Sequence, residues 1–171
     1  MGQPKHLMRY GPRTFLEIAL EAMRPLCQEL AVLGSGEVPF LSEPVHRLED
    51  VEGLRGPAAG ILAALRYDAH ATWLIVACDM PRLHPEALRW LRDEHQRQAF
   101  AATMPKVSDH VLPTCAIYTH AVLRRLQDHA LAGRGPRALG AEHDVHTPVP
   151  VDAAAFVNVN NAEDYATWVW D

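Results

Sequence analysis

Trp73-Leu-Ile-Val-Ala-Cys78-Asp79-Met-Pro81 is the most informative stretch of the chain. Six apolar residues run without a break and stop at a carboxylate, with a proline two residues on. A strand covered on both faces reads this way, because neither side meets water. The pattern predicts an interior strand over 73–78 of an α/β sheet, with Asp79 at its carboxyl end. Ligands of open α/β sheets bind beyond the carboxyl ends of the strands. Asp79 therefore has two readings: a loop-capping side chain, or a ligand for a hard cation such as Mg²⁺. That ion favours one or two carboxylates together with substrate phosphates.

Outward from this strand the pattern alternates. Phe15, Ile18, Ala19, Ala22, Met23 and Leu26 recur at the helical period, predicting a helix over 14–27 with Thr14 and Glu17 as a capping box. Leu30–Leu33 reads as a strand closed by Gly34-Ser-Gly36, and 37–55 as a loop with at most a short strand near Val45–Leu48. Gly56-Pro57 opens a helix through Ile61, Leu62 and Leu65, and His84-Pro85-Glu86 opens one to about Arg97. Further strands are predicted over 100–104, 112–118, 145–151 and 156–159. Thr119 is expected to cap a helix, 133–140 to form a Gly/Arg-rich loop, and 162–170 to form a terminal helix. Strands alternating with helices imply an α/β sheet with right-handed crossovers.

With 171 residues, 49% hydrophobic and 22% charged, the chain is long and apolar enough for one packed domain, 1–171. The net charge of −5 argues against nucleic acid as a partner, whose footprint is a basic excess. No apolar run approaches the roughly 18 residues of a membrane helix, and the first ten residues lack a signal-peptide core. Three cysteines without a C-x-x-C pair read as free thiols. These features suggest a cytoplasmic protein without a membrane partner.

Other candidates have plain alternatives beside the functional ones. Asn158 and Asn160 share one face of an extended segment, where they reach a metal or phosphate, or merely cap a helix. Gly56-Pro-Ala-Ala-Gly60 lets a ligand approach helix N–H groups, or is an ordinary helix start. Lys5 is a phosphate-binding point charge or a solvated terminal lysine.

In order along the chain, Met1-Gly-Gln-Pro-Lys5, Gly56-Pro-Ala-Ala-Gly60-Ile61, Ala77-Cys-Asp-Met-Pro81 and Phe156-Val-Asn-Val-Asn160-Asn-Ala-Glu-Asp164 resemble the motifs of the molybdenum cofactor guanylyltransferase family. The resemblance covers essentially the whole chain. It implies a three-layer, Rossmann-like nucleotidyltransferase sheet, mostly parallel, and transfer of GMP from GTP to the terminal phosphate of molybdopterin, with Mg²⁺ as cofactor. It assigns Lys5 to the nucleotide phosphates and Asp79 to the metal, these two being the catalytic residues. It sets Asp50, Gly56 and Gly60 at the nucleotide, Asn158 and Asn160 near the pterin phosphate and the metal, and Arg134 and Arg137 at the pterin phosphate. A molybdoenzyme or its chaperone is the implied recipient.

The family also begins with a strand and a Gly-rich loop, L-A-G-G-x-S-x-R, which the sequence from Met1 does not contain. The resemblance places that strand in mid-sheet, so its neighbours are expected to have open edges. A translation start upstream of Met1 is the preferred reading; the other is a short chain that is inactive or pairs its sheet otherwise. Leu33-Gly-Ser35 and Leu112 also depart from residues that some members carry. Two rival functions follow: a CTP-dependent molybdopterin cytidylyltransferase, and a non-catalytic module that binds and delivers molybdopterin.

Overall fold

The computed structural model describes residues 4–34, 36, 38, 44–160 and 164–165. After a single 3-10 turn at Lys5–Leu7, a small hairpin pairs β1 (Arg9–Tyr10) with β2 (Arg13–Thr14). The helix α1 (Phe15–Met23) follows directly. Its capping box is complete: Thr14 Oγ1 accepts from the Glu17 N–H, and Glu17 accepts from the Thr14 N–H. Next come β3 (Ala31–Leu33), β4 (His46–Leu48), α2 (Pro57–Tyr67), β5 (Trp73–Val76) and α3 (Pro85–Gln96). The chain continues through β6 (Ala102–Thr103), a hairpin of β7 (Lys106–Val107) and β8 (His110–Val111), and β9 (Cys115–Tyr118). The helix α4 (Leu123–Leu131), a 3-10 segment at Pro136–Ala141 and β10 (Val145–His146) complete the series.

The main sheet has the order β10-β6-β9-β5, and β3 pairs in parallel with β4 in a separate ribbon. The β10–β6 ladder is parallel, whereas β9 runs antiparallel to both β5 and β6. Alternating side chains on β5 and β9 divide the core. Ile75, Ala116 and Tyr118 pack with α2 and α4 on one face. Leu74, Val76 and Cys115 pack with Ala22 of α1 and Leu88 of α3 on the other. Helices on both faces of a sheet give the three expected layers.

Among the described residues β3 pairs only with β4, and β5 only with β9. A cleft of about 1050 Å³ lies between their open edges, walled by Leu16 and Leu20 of α1 and Ile61 of α2.

Several elements differ from the sequence reading. Pro148 and Pro150 lack the N–H a ladder needs, so β10 ends at His146 rather than reaching 151. Residues 153–156 form a 3-10 turn, and no ladder forms over 156–159; Val159 instead donates one hydrogen bond to the Asp79 carbonyl (2.8 Å). Thr119 does not cap with its side chain: its hydroxyl donates to Ala101 O (3.0 Å), and a 3-10 turn precedes α4. The β7–β8 hairpin was not foreseen. Its turn holds Ser108 and Asp109 at φ of +47° and +64°, the left-handed pair that a two-residue hairpin loop requires, without the usual glycine. Most of the predicted terminal helix lies outside the described residues.

Candidate active site

The end of β5 is fixed from two sides. The Ala77 N–H donates to Thr114 O (2.6 Å), and the Val159 N–H donates to Asp79 O (2.8 Å). Met80 and Pro81 are buried immediately beyond, so Asp79 sits on an anchored turn. Its side chain is 15% exposed. Lys5, on the 3-10 turn ahead of β1, donates from Nζ to Asp79 Oδ2 (3.0 Å) and to Asn160 Oδ1 (2.9 Å). Lys5, Asp79 and Asn160, far apart in sequence, therefore meet at one point.

Asn158 and Asn160 flank Val159, whose side chain is fully buried. Alternation along an extended segment puts the two amides on the opposite side from Val159. The Asn160 N–H donates to Asp164 Oδ2 (2.8 Å), which fixes the end of this segment.

Among the described residues two buried side-chain oxygens make no hydrogen bond: Asp79 Oδ1, and Oδ1 of Asn158, two residues before Asn160. Leaving a buried acceptor unsatisfied costs about 1–3 kcal/mol, so such atoms call for an explanation. All donors here are hard oxygens, the ligand type that Mg²⁺ takes. Among the described residues no group of three or more His, Cys, Asp or Glu side chains converges, so no all-protein metal cage exists. A carboxylate oxygen and an amide oxygen, both buried and unpartnered, are nonetheless ligand types that Mg²⁺ takes. Asp79 and Asn158 are the residues that would hold it.

Cys78 does not contribute a nucleophile. Burial, with the neighbouring Asp79 charge second, pushes its thiol up to about 11, so it stays protonated at neutral pH.

A second group lines the same cleft. Asp50 lies beyond β4, beside Gly34 and Gly60: a Cβ on Gly60 would come within 3.3 Å of Asp50 Oδ1 and 3.4 Å of Leu33 Cβ. Gly56 caps α2 at a φ of +71°, a conformation that favours glycine, with Pro57 in the first turn. Arg47 Nη2 donates to Gly36 O (2.7 Å). His6 lines the cleft near Gly36. Arg47 and His6 carry no motif signal, and the sequence reading passed over both. Arg134 and Arg137 are exposed, on a loop whose 3-10 segment packs on α4 and β10, and they do not line the cleft.

A family model for the MobA-like NTP transferase domain matches residues 1–147. The chain belongs to this family. As a MobA-like NTP transferase it is similar to a probable molybdenum cofactor guanylyltransferase of Pelotomaculum thermopropionicum, 29% identical over 128 residues. That match spans 75% of the present chain and 62% of the relative. A Bacillus cereus protein of the same description is 26% identical over 96% of the chain and 86% of its own length. Among solved structures, the molybdopterin-guanine dinucleotide biosynthesis protein A of Archaeoglobus fulgidus superposes with a TM-score of 0.77 at 21% identity, covering 98% of this chain and 90% of that one. The 2-C-methyl-D-erythritol 4-phosphate cytidylyltransferase of Thermus thermophilus superposes at 0.72 and 20% identity, covering 98% and 92%. A Mycobacterium tuberculosis protein solved in complex with manganese superposes at 0.66 and 20%, covering 99% and 94%. These neighbours establish the nucleotidyltransferase-like α/β fold. Among the described residues no helix is long and apolar enough to cross a membrane.

Proposed function

We propose that this MobA-like NTP transferase moves GMP from GTP to the terminal phosphate of molybdopterin, releasing pyrophosphate. The observation that carries the reading is the meeting of Lys5, Asp79 and Asn160 at the carboxyl end of β5, beside two buried and unpartnered oxygens.

Phosphoryl-type transfer needs positioning and charge neutralisation more than covalent help. A phosphate oxygen of the acceptor attacks the α-phosphorus in line. The new O–P bond forms as the bond from the α-phosphorus to its bridging oxygen breaks, and pyrophosphate leaves with that electron pair. Asp79 and Asn158 would hold Mg²⁺, which when bound would supply charge neutralisation on the triphosphate. Lys5 places a positive charge beside the phosphates. Asn160 fixes the Lys5 ammonium through its amide oxygen. Asp50, with Gly56 and Gly60, binds the nucleoside end in the cleft. The acceptor phosphate is already ionised, so no side chain acts as general base. Arg134 and Arg137, both exposed, remain the candidates for the pterin phosphate.

The test is product analysis with molybdopterin, Mg²⁺ and either GTP or CTP. A guanine dinucleotide formed from GTP alone supports the proposal. A cytosine dinucleotide formed from CTP alone replaces the substrate while keeping the reaction. Tight molybdopterin binding without nucleotide binding or turnover favours the delivery module.

A further inference from the structure

The Lys5 ammonium occupies the position in which a phosphate-binding lysine is least available. Among the described residues it donates to Asp79 Oδ2 and Asn160 Oδ1, both within 3.0 Å. The other oxygen of the same carboxylate, Asp79 Oδ1, is buried and unpartnered. Lys5 is thus a cation already seated at the carboxylate assigned above to the metal. It stands on a single 3-10 turn, and its side chain is 35% exposed, so it can swing away without disturbing the core. The carboxylate cannot: both sides of its turn are anchored by backbone hydrogen bonds.

We propose that Lys5 is the tethered counter-cation of Asp79, so that a divalent ion and the Lys5 ammonium compete for this carboxylate. The inference rests on Asp79 being the metal ligand. Two positive charges within hydrogen-bonding distance of one carboxylate repel each other, and the more mobile one yields. A divalent ion arriving alone must displace Lys5 and leave its ammonium without an acid partner. A triphosphate arriving alone must draw Lys5 from Asp79 and leave a largely buried carboxylate uncompensated, which is costly. Arriving together, each ligand takes one half of the broken pair. Lys5 therefore makes metal and nucleotide bind synergistically, and linkage makes the effect reciprocal.

The consequence runs against the usual result of deleting a functional residue. Removing the Lys5 charge strengthens metal binding in the absence of nucleotide. The experiment titrates the full chain with MnCl₂ alone, reading free Mn²⁺ by its electron paramagnetic resonance signal, and repeats the titration with GTP. Lys5→Met should bind Mn²⁺ about fivefold more tightly than the native chain without GTP, the scale of one partly exposed ion pair. The extra affinity conferred by GTP should shrink in this variant. Lys5→Arg, which keeps the charge, should leave the Mn²⁺ affinity measured without GTP near that of the native chain. Unchanged or weaker Mn²⁺ binding in Lys5→Met, with its melting temperature preserved, overturns the proposal. Asp79→Asn separates this failure from that of the reading beneath it. Loss of Mn²⁺ binding there keeps Asp79 as the ligand whatever Lys5 does, whereas native-like binding removes Asp79 from the metal site and the competition with it.

Discussion

Around Arg125 every carboxylate oxygen has a partner. The guanidinium donates to Glu142 Oε2 and to both oxygens of Asp144 (2.7 and 2.9 Å), and His129 Nε2 lies 3.0 Å from Glu142 Oε1. At the end of β5 the same kinds of group are provided for differently: Asp79 Oδ2 meets Lys5, while Asp79 Oδ1 and Asn158 Oδ1 are buried and unmatched. The first cluster pins the 3-10 segment at 136–141 and the start of β10 against α4, and its work is structural. The second is under-supplied with donors and sits where an open sheet presents its strand ends. The chemistry of the residues is alike; the brace leaves one histidine nitrogen, His129 Nδ1, unmatched, whereas the site leaves a carboxylate oxygen and an amide oxygen.

The comparison breaks most readily at Asp79. Asp79→Ala should lower turnover by roughly a thousandfold or more, in the range seen when one preorganised electrostatic group is lost, while the chain stays folded. Steady-state rates and circular dichroism check the two halves of that statement. Asn158→Ala should cost about a hundredfold in turnover with little change in melting temperature. A large drop in melting temperature would make Asn158 a structural residue instead. Arg125→Met should do the reverse, lowering stability by about 1–2 kcal/mol in denaturant titrations without changing turnover.

The sign of the pH dependence follows from Asp144. The Arg125 hydrogen bond holds its carboxyl below the usual range, so the folded state binds that proton less readily than the unfolded chain. The stability this adds is present above the ordinary carboxylate pKa of about 4 and is lost as pH falls through the lower folded value. Arg125→Met should therefore differ from the native chain at neutral pH and approach it in acid. The smallest effect is at the α1 cap, where Thr14→Ala should cost about 1 kcal/mol in thermal unfolding, with the site unaffected.

Much of this was legible in local pattern. The run from Trp73 to Cys78 located β5 and placed Asp79 at its end, and the Thr14–Glu17 spacing gave a capping box that the structure completes. Those signals are carried by adjacent residues, so a sequence displays them. The lengths of the strands were harder to see. Pro148 and Pro150 stop β10 after two residues, and the 156–159 segment finds one backbone partner rather than a ladder. The Thr119 hydroxyl bonds Ala101, far along the chain, in place of its own helix.

Within the site, Lys5, Asp79 and Asn160 were named one by one, but their direct contact spans 74 and 155 residues of sequence and depends on tertiary packing. The family resemblance set Arg134 and Arg137 at the pterin phosphate; both are exposed, on a loop outside the residues that line the cleft. His6 in the cleft lining and Arg47, which donates to Gly36 O, carried no signal, since each is a single basic residue on a short strand or turn.

The central claim is that Asp79 anchors the divalent ion needed for nucleotidyl transfer. Pyrophosphate release from GTP in the presence of molybdopterin, followed against free Mg²⁺ in the native chain and in Asp79→Asn, tests it most directly. The account predicts a saturable rise with Mg²⁺ in the native chain and a flat, near-zero response in the variant. Matching Mg²⁺ curves from the two proteins would contradict it.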